Sequence, residues 1–441
     1  ILERVTFNGV AMDGRQFLER AARVSRQPRF EQAQALATPP RPRLAADGGE
    51  PVSPRFIYFG QPLFDKEEED AVVQTIRSGW VGMGPKCQQF EKEFGEYVGN
   101  PRSVSLSSCT AALHLSLVLL GVGPGREVVT TPLTFAATVN AIEHVGATPV
   151  FADIDPKTWN LDPSAVEAAL TPRTAALIPV HFAGLPCDMR RLEALASARG
   201  LGLVEDAAHA VGAVVDGRRI GNSSNLVCFS FYANKNLTTV EGGMLCCPRE
   251  DLAARARSLR QHGLGQDAWA RFRTKELIMA QVLEPGFKYN FTDLQAVIGL
   301  AQLRKLERMQ AIRDELAAEY DRGLEGLDGL QLQYRPVGDL SLRHALHLYA
   351  VLLDPDRFQV GRNSVVGALR AENIGVGIHY EPLVQHPYYR KKYGFRGGEF
   401  PVAERVGRGI MSLPISPTMT VEDARTVVKA VRKVLDEYRR E

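Results

Sequence analysis

No stretch of the chain comes near the ~20 uninterrupted apolar residues that a membrane-spanning helix needs, so no membrane partner is expected. Charge of one sign is not in excess either. Lys and Arg number 53 against 51 Asp and Glu, and a net charge of +2 argues against nucleic acid as a partner. Six cysteines in 441 residues do not make a disulfide framework. Cys246 and Cys247 are adjacent and no CxxC pair exists, so no metal is expected. Free thiols in a reducing, cytoplasmic compartment are the expectation. What is present is ordinary: 45% hydrophobic and 24% charged residues, with ample length for a buried core.

Residues 1–55 differ in character from the rest of the chain and carry no recognisable chemistry. A helical pattern spans 14–36, and TPPRPRLAADGGEPVSP after it reads as a linker. From there the chain alternates. Apolar strand-like runs at 103–106, 127–131, 148–152, 175–180, 201–205 and 226–232 are separated mostly by amphipathic helices. Such alternation predicts an α/β fold: a mostly parallel sheet, right-handed crossovers and helices on both faces. Ligands then bind beyond the carboxyl ends of the strands. Past Leu324 the pattern changes to strand, helix and a last helix over 421–438, which predicts a smaller C-terminal α+β domain. The expected division is 1–55 as an extension, 56–315 as a large domain and 316–441 as a small one.

The chemistry gathers at strand ends. LVEDAAHA ends a strand in Glu205-Asp206 and then presents His209. FSFYANKN ends the next and delivers Lys235. An acid and a lysine so placed suit pyridoxal phosphate (PLP): the lysine forms a Schiff base and the acid keeps the pyridine nitrogen protonated. Isolated Asp and Lys at strand ends are usually surface charges, so neighbouring strand ends carry the weight. Ser107, Ser108 and Thr110 open a helix after the 103–106 strand, either as an anion site at its N-terminus or as plain caps. Phe135 follows another strand end, placed to stack on a ring or merely to pack. Ser230 interrupts an otherwise apolar strand. Lys288 and Asn290 precede a long helix from about Thr292 to Leu324 and are candidate anion contacts. His379 stands at a further strand end.

Read together, SSCTAALH, TPLTFAATVNAI, IPVHFAG, VEDAAHAVGA, FSFYANKNLTTVEGG, FKYNFTDLQAVIGLAQLRKLE and GVGIHYEPL resemble the sugar aminotransferases of the DegT/DnrJ/StrS family. The resemblance runs in order from about 56 to 435. HGLGQDAW…VLEPGFKYNFTD is most similar to the UDP-4-amino-4-deoxy-L-arabinose–oxoglutarate aminotransferase type. The resemblance implies the PLP fold type I architecture and a homodimer with shared active sites. Lys235 would anchor PLP, Asp206 would pair with the pyridine nitrogen, His209 would lie near the phenolic oxygen and Phe135 would stack on the ring. Thr110, Ala111 (by its backbone) and Ser230 would hold the phosphate, and Asn290 would reach the partner subunit's cofactor. His379 would sit at the sugar end of the cleft, with Lys288 as a second substrate candidate. The implied reaction moves an amino group, from glutamate by family, to a 4-keto nucleotide sugar for cell-surface glycan or lipid A-type modification. A 3-keto sugar or a 4-keto-6-deoxyhexose is the alternative acceptor. Cys109 stands where many members have glycine, so a loop needing positive φ would be strained there. Sugar dehydratases of this fold replace the anchoring lysine with histidine, and Lys235 argues against that reading. A PLP-binding regulator would need a DNA-reading helix that residues 1–55 do not offer.

Overall fold

The computed structural model describes residues 43–265, 281–335 and 341–440, with the backbone of two short paired strands, Val5–Phe7 and Val10–Met12. The expected helix over 14–36 and residues 266–280 of the HGLGQDAW…VLEPGFKYNFTD stretch lie outside the described residues.

Seven strands make the central sheet: β1 (Ser103–Leu106), β2 (Glu127–Thr130), β3 (Thr148–Phe151), β4 (Thr174–Ile178), β5 (Gly202–Asp206), β6 (Leu226–Ser230) and β7 (Gly243–Cys246). Their order in space is β1-β7-β6-β5-β4-β2-β3. From β6 to β3 every neighbouring pair is parallel. β7 is antiparallel to both β1 and β6. β1, β2, β6 and β7 are buried along their whole length, as expected of strands covered on both faces. The expected strand positions agree with those observed to within one or two residues. β7 is an addition, since MLCC carries no mark of its direction.

The helices of this lobe are α1 (Lys66–Ser78), α2 (Pro85–Val98), α3 (Cys109–Leu119), α4 (Ala136–His144), α5 (Pro163–Ala169), α6 (Met189–Arg199) and α7 (Glu250–Leu259). α3 is apolar on nearly all sides because it is packed on the sheet and covered by other helices. Its start is fixed by Ser108, whose hydroxyl accepts from the Ala111 N–H at 3.1 Å.

α8 (Asp293–Leu324) is a single helix of 32 residues, about 48 Å long. Thr292 and Gln295 close a capping box at its start. Its first half packs with Phe90, Phe231 and Phe291, through Ala296, Leu300, Leu306 and Met309. Its second half enters another core through Leu316, Ala317, Tyr320 and Leu324. That core holds the antiparallel strands β8 (Leu330–Leu332), β9 (Tyr349–Leu353) and β10 (Ile410–Leu413). Helices α9 (Arg362–Ala371) and α12 (Val421–Tyr438) pack into it as well; the short helices α10 (Pro387–Tyr393) and α11 (Pro401–Gly409) complete the chain.

The stretch read as a linker differs from expectation over residues 43–54. Leu44 and Ile57 are buried in the C-terminal core. Glu372, fully buried, accepts from the N–H groups of Ala45 (2.9 Å) and Val52 (2.8 Å) and pairs with Lys433 at 2.8 Å. Proline and glycine set the turns here without freeing the chain, because its backbone donors meet a buried carboxylate.

Candidate active site

Asp206 is the last residue of β5 and is 4% exposed. Its Oδ2 accepts from Thr138 Oγ1 at 2.8 Å and its Oδ1 from the Ala208 N–H at 3.1 Å. Burial raises its pKa, against the lowering effect of these two bonds and of the Lys235 charge. Lys235 lies in the turn after β6, its N–H bonded to Tyr232 O at 3.0 Å. Burial lowers its amine to about 8, with Cys109 and Asp206 acting the other way. A buried carboxylate and a buried amine, each feeling the other's charge, thus stand at the ends of the neighbouring parallel strands β5 and β6.

Three histidines and a tyrosine surround Lys235. His347 Nε2 is 3.3 Å from Lys235 Nζ. The His209 ring lies 4.4 Å from that of His347, centroid to centroid. His209 Nδ1 accepts from the Ala183 N–H at 3.2 Å, so in the neutral ring the proton sits on Nε2, which faces Tyr380 Oη at 3.2 Å. Burial, then the Lys235 charge, holds both rings well below the usual histidine pKa. His379 stacks on Phe59 at 5.0 Å and its Nδ1 meets Ser412 Oγ at 3.0 Å. Burial and Lys235 lower it to about 4. Phe135 caps the start of α4, 63% exposed, with its ring 6.1 Å from that of Tyr380.

The start of α3 forms the other end of the cleft. Ser230 ends β6 and pairs with Gly243 of β7, which pairs in turn with Leu106. A Cβ on Gly243 would meet the Ser108 carbonyl carbon at 2.4 Å and the Cys109 N at 2.6 Å. Glycine thus lets β7 run directly beneath the helix start. The Ala111 N–H is already bonded to Ser108 Oγ. The first two helical N–H groups, of Cys109 and Thr110, are the ones helix geometry leaves for an anion. Cys109 is the first residue of the helix and has no positive φ, so the strain conceivable for a cysteine there does not arise. These features fit PLP: donors for a phosphate, a carboxylate for the ring nitrogen and a nucleophilic amine.

Lys288 and Asn290 stand apart from the Lys235 cluster. Lys288 is exposed and pairs by its backbone with Gln261, while the Asn290 amide donates to Phe291 O at 3.2 Å. Their segment adjoins the start of α3, where Ser107 N donates to Tyr289 O at 2.8 Å. His181 turns inward: its Nε2 meets Glu205 Oε2 at 3.0 Å and its ring is fully buried. Thr138, His347 and Tyr380 went unnoticed in the sequence. Thr138 follows Phe135 by three residues, one helical turn, and that spacing is the signal that would have found it.

Residues 62–432 match the DegT/DnrJ/EryC1/StrS aminotransferase family. The chain is 46% identical over 381 residues to the spore coat polysaccharide biosynthesis protein SpsC of Bacillus subtilis, covering 86% of this chain and 97% of that protein. Among solved structures it is similar to the aminotransferase TlmJ from Streptoalloteichus hindustanus, with 36% identity, a TM-score of 0.78 and coverage of 86% and 99%. It is likewise similar to Spr1654 from Streptococcus pneumoniae in its PLP form, with 30% identity, a TM-score of 0.79 and coverage of 87% and 99%.

Proposed function

Because the chain belongs to the DegT/DnrJ/EryC1/StrS family of PLP-dependent sugar aminotransferases, we propose that it transfers the amino group of L-glutamate to C4 of a 4-keto nucleotide sugar. The observation that carries this reading is the placing of Asp206 at the end of β5 and of Lys235 in the turn after its parallel neighbour β6, each feeling the other's charge, beside the N–H groups that start α3.

When bound, PLP supplies an electron sink for the carbon that loses its proton. The chain's own groups do the rest. Lys235 anchors the cofactor and, once released, carries a proton as a base, a task suited to an amine lowered to about 8. Asp206, held flat by Thr138 and Ala208, keeps the ring nitrogen protonated. Thr110, Ser230 and the first N–H groups of α3, in place of the Ala111 N–H that Ser108 occupies, hold the phosphate. Phe135 would cover one face of the ring. His209 directs Nε2–H into the cleft, beside Tyr380. His379 and Lys288 serve the nucleotide sugar. Glutamate and sugar use the cleft in turn, which predicts ping-pong kinetics.

The working unit is a homodimer, with Asn290 reaching the partner's cofactor. Tyr232 and Val240, on either side of Lys235 in the sequence, are 48% and 50% exposed in the single chain, apolar side chains that a second copy would cover. The product feeds a cell-surface glycan, a reading supported by the likeness to a spore coat polysaccharide biosynthesis protein.

The test is a two-stage titration of the purified, PLP-loaded protein. Glutamate should convert the cofactor absorbance to that of its amine form. A panel of UDP-, dTDP- and GDP-linked 3-keto and 4-keto sugars should then restore it, with UDP-4-keto-pentose fastest. No change with any amino donor would overturn the reading, and restoration only by 3-keto sugars would move the acceptor carbon.

A further inference from the structure

Lys235 cannot remain attached to the cofactor throughout the proposed reaction, so its free amine needs a resting place. This need rests on the aminotransferase reading, and the residue next to the lysine shows how it is met. Asn236 is buried, and its Nδ2 donates to Ala345 O at 2.6 Å and faces Gln310 Oε1 at 3.5 Å. Both partners are acceptors, so the amide cannot be turned round. Its Oδ1 therefore faces His347 Nδ1, at 3.3 Å, and that nitrogen must carry the ring proton. The lone pair is left on Nε2, which is 3.3 Å from Lys235 Nζ.

The surroundings keep the ring in that state. His347 is 6% exposed and feels Lys235, Arg313, His209 and His379. Arg313 is itself buried, bonded to Leu346 O and Ile415 O. A second proton on His347 would lie between two cations, with no acid among these neighbours. Lys235, for its part, also faces Asp206 and Cys109.

We infer that His347 is the acceptor on which the Lys235 amine rests whenever it is detached from the cofactor, with Asn236 setting the tautomer that makes this possible. His347 is thus a positioning residue for Lys235. It keeps the amine within the cleft and fixes the direction of its N–H groups.

The test uses full-length protein loaded with pyridoxamine 5'-phosphate, which has no carbonyl to join Lys235. Trace acetic anhydride labelling across pH, read by mass spectrometry of the Lys235 peptide, gives the apparent pKa of the free amine. An acceptor favours the ammonium form, so its loss lowers that pKa. His347→Leu should leave about tenfold more reactive amine at neutral pH than the wild type. Asn236→Leu should shift it in the same direction by less. His347→Gln, which still offers an oxygen, should stay within about threefold of wild type. Should His347→Leu fail to fold, His347→Asn, whose amide is too short to reach, takes its place. An unchanged Lys235 profile in folded His347 and Asn236 variants overturns the inference. The labelling does not use turnover, so failure of the glutamate titration would register separately.

Discussion

Thr138 Oγ1 donates to Asp206 Oδ2 at 2.8 Å and also shares a 2.8 Å hydrogen bond with Thr134 Oγ1. A two-threonine chain thus fixes the plane of the carboxylate at the end of β5. Thr138→Val keeps the shape and removes the donor. The Asp206 pKa should rise further and its hold on a protonated ring nitrogen weaken. We expect kcat/KM to fall about tenfold to a hundredfold, on the scale of a hydrogen bond to a charged group. Thr138→Ser should recover most of it. Steady-state kinetics with both variants and a cofactor titration by absorbance are the measurements.

Gly243→Ala tests the close approach of β7 to α3. The added Cβ would lie 2.4 Å and 2.6 Å from backbone atoms of Ser108 and Cys109, which cannot swing aside. Overpacking of this kind costs about 1–3 kcal/mol. The strain falls on the anion-binding turn, so affinity for PLP should drop more than the urea midpoint does. Equilibrium dialysis of the cofactor, set beside urea denaturation, separates the two effects.

Acid should destabilise the fold before its carboxylates titrate. His209, His347 and His379 are all depressed below the ordinary value of about 6.5, His379 to about 4. Below pH 6.5 the unfolded chain takes up protons that the folded chain refuses, so stability falls as pH falls. The full contribution is present above 6.5 and is lost on the way down through the folded values. Urea midpoints should decline between pH 6.5 and 4.5, and His379→Gln should flatten part of that slope. An equal slope in the variant would remove His379 from the account.

Glu372 ties residues 43–54 to the C-terminal core. Glu372→Ala leaves Lys433 with only the Glu50 carbonyl and no counter-charge, and two backbone N–H groups without an acceptor. Breaking a buried pair costs about 3–5 kcal/mol. The urea midpoint should fall accordingly, and proteolysis should cut first within 43–54.

The sheet and the placing of Asp206 and Lys235 at neighbouring strand ends were legible because both arise from local pattern. Buried parallel strands are short apolar runs, and function collects at their carboxyl ends, so Asp206, Lys235, His209 and Ser230 could be placed by position alone. The direction of β7 was not legible, since an apolar run does not say which way it points. Thr138 looked like any helix residue until Asp206 was folded against it. His347, over a hundred residues from Lys235, looked like the lead-in to a strand. The docking of 43–54 was hidden for another reason: its partner Glu372 lies more than 300 positions away, and composition alone mimics a tether.

α8 contains no proline, the usual source of a sharp kink, and helices of this length bend only gently. It begins just after Asn290 and runs without a break from the core around Phe90 and Phe291 into the C-terminal core around Tyr320 and Tyr349. It therefore acts as a beam with one end built into each lobe. Any displacement of one core against the other must bend this helix or draw part of it out of its packing.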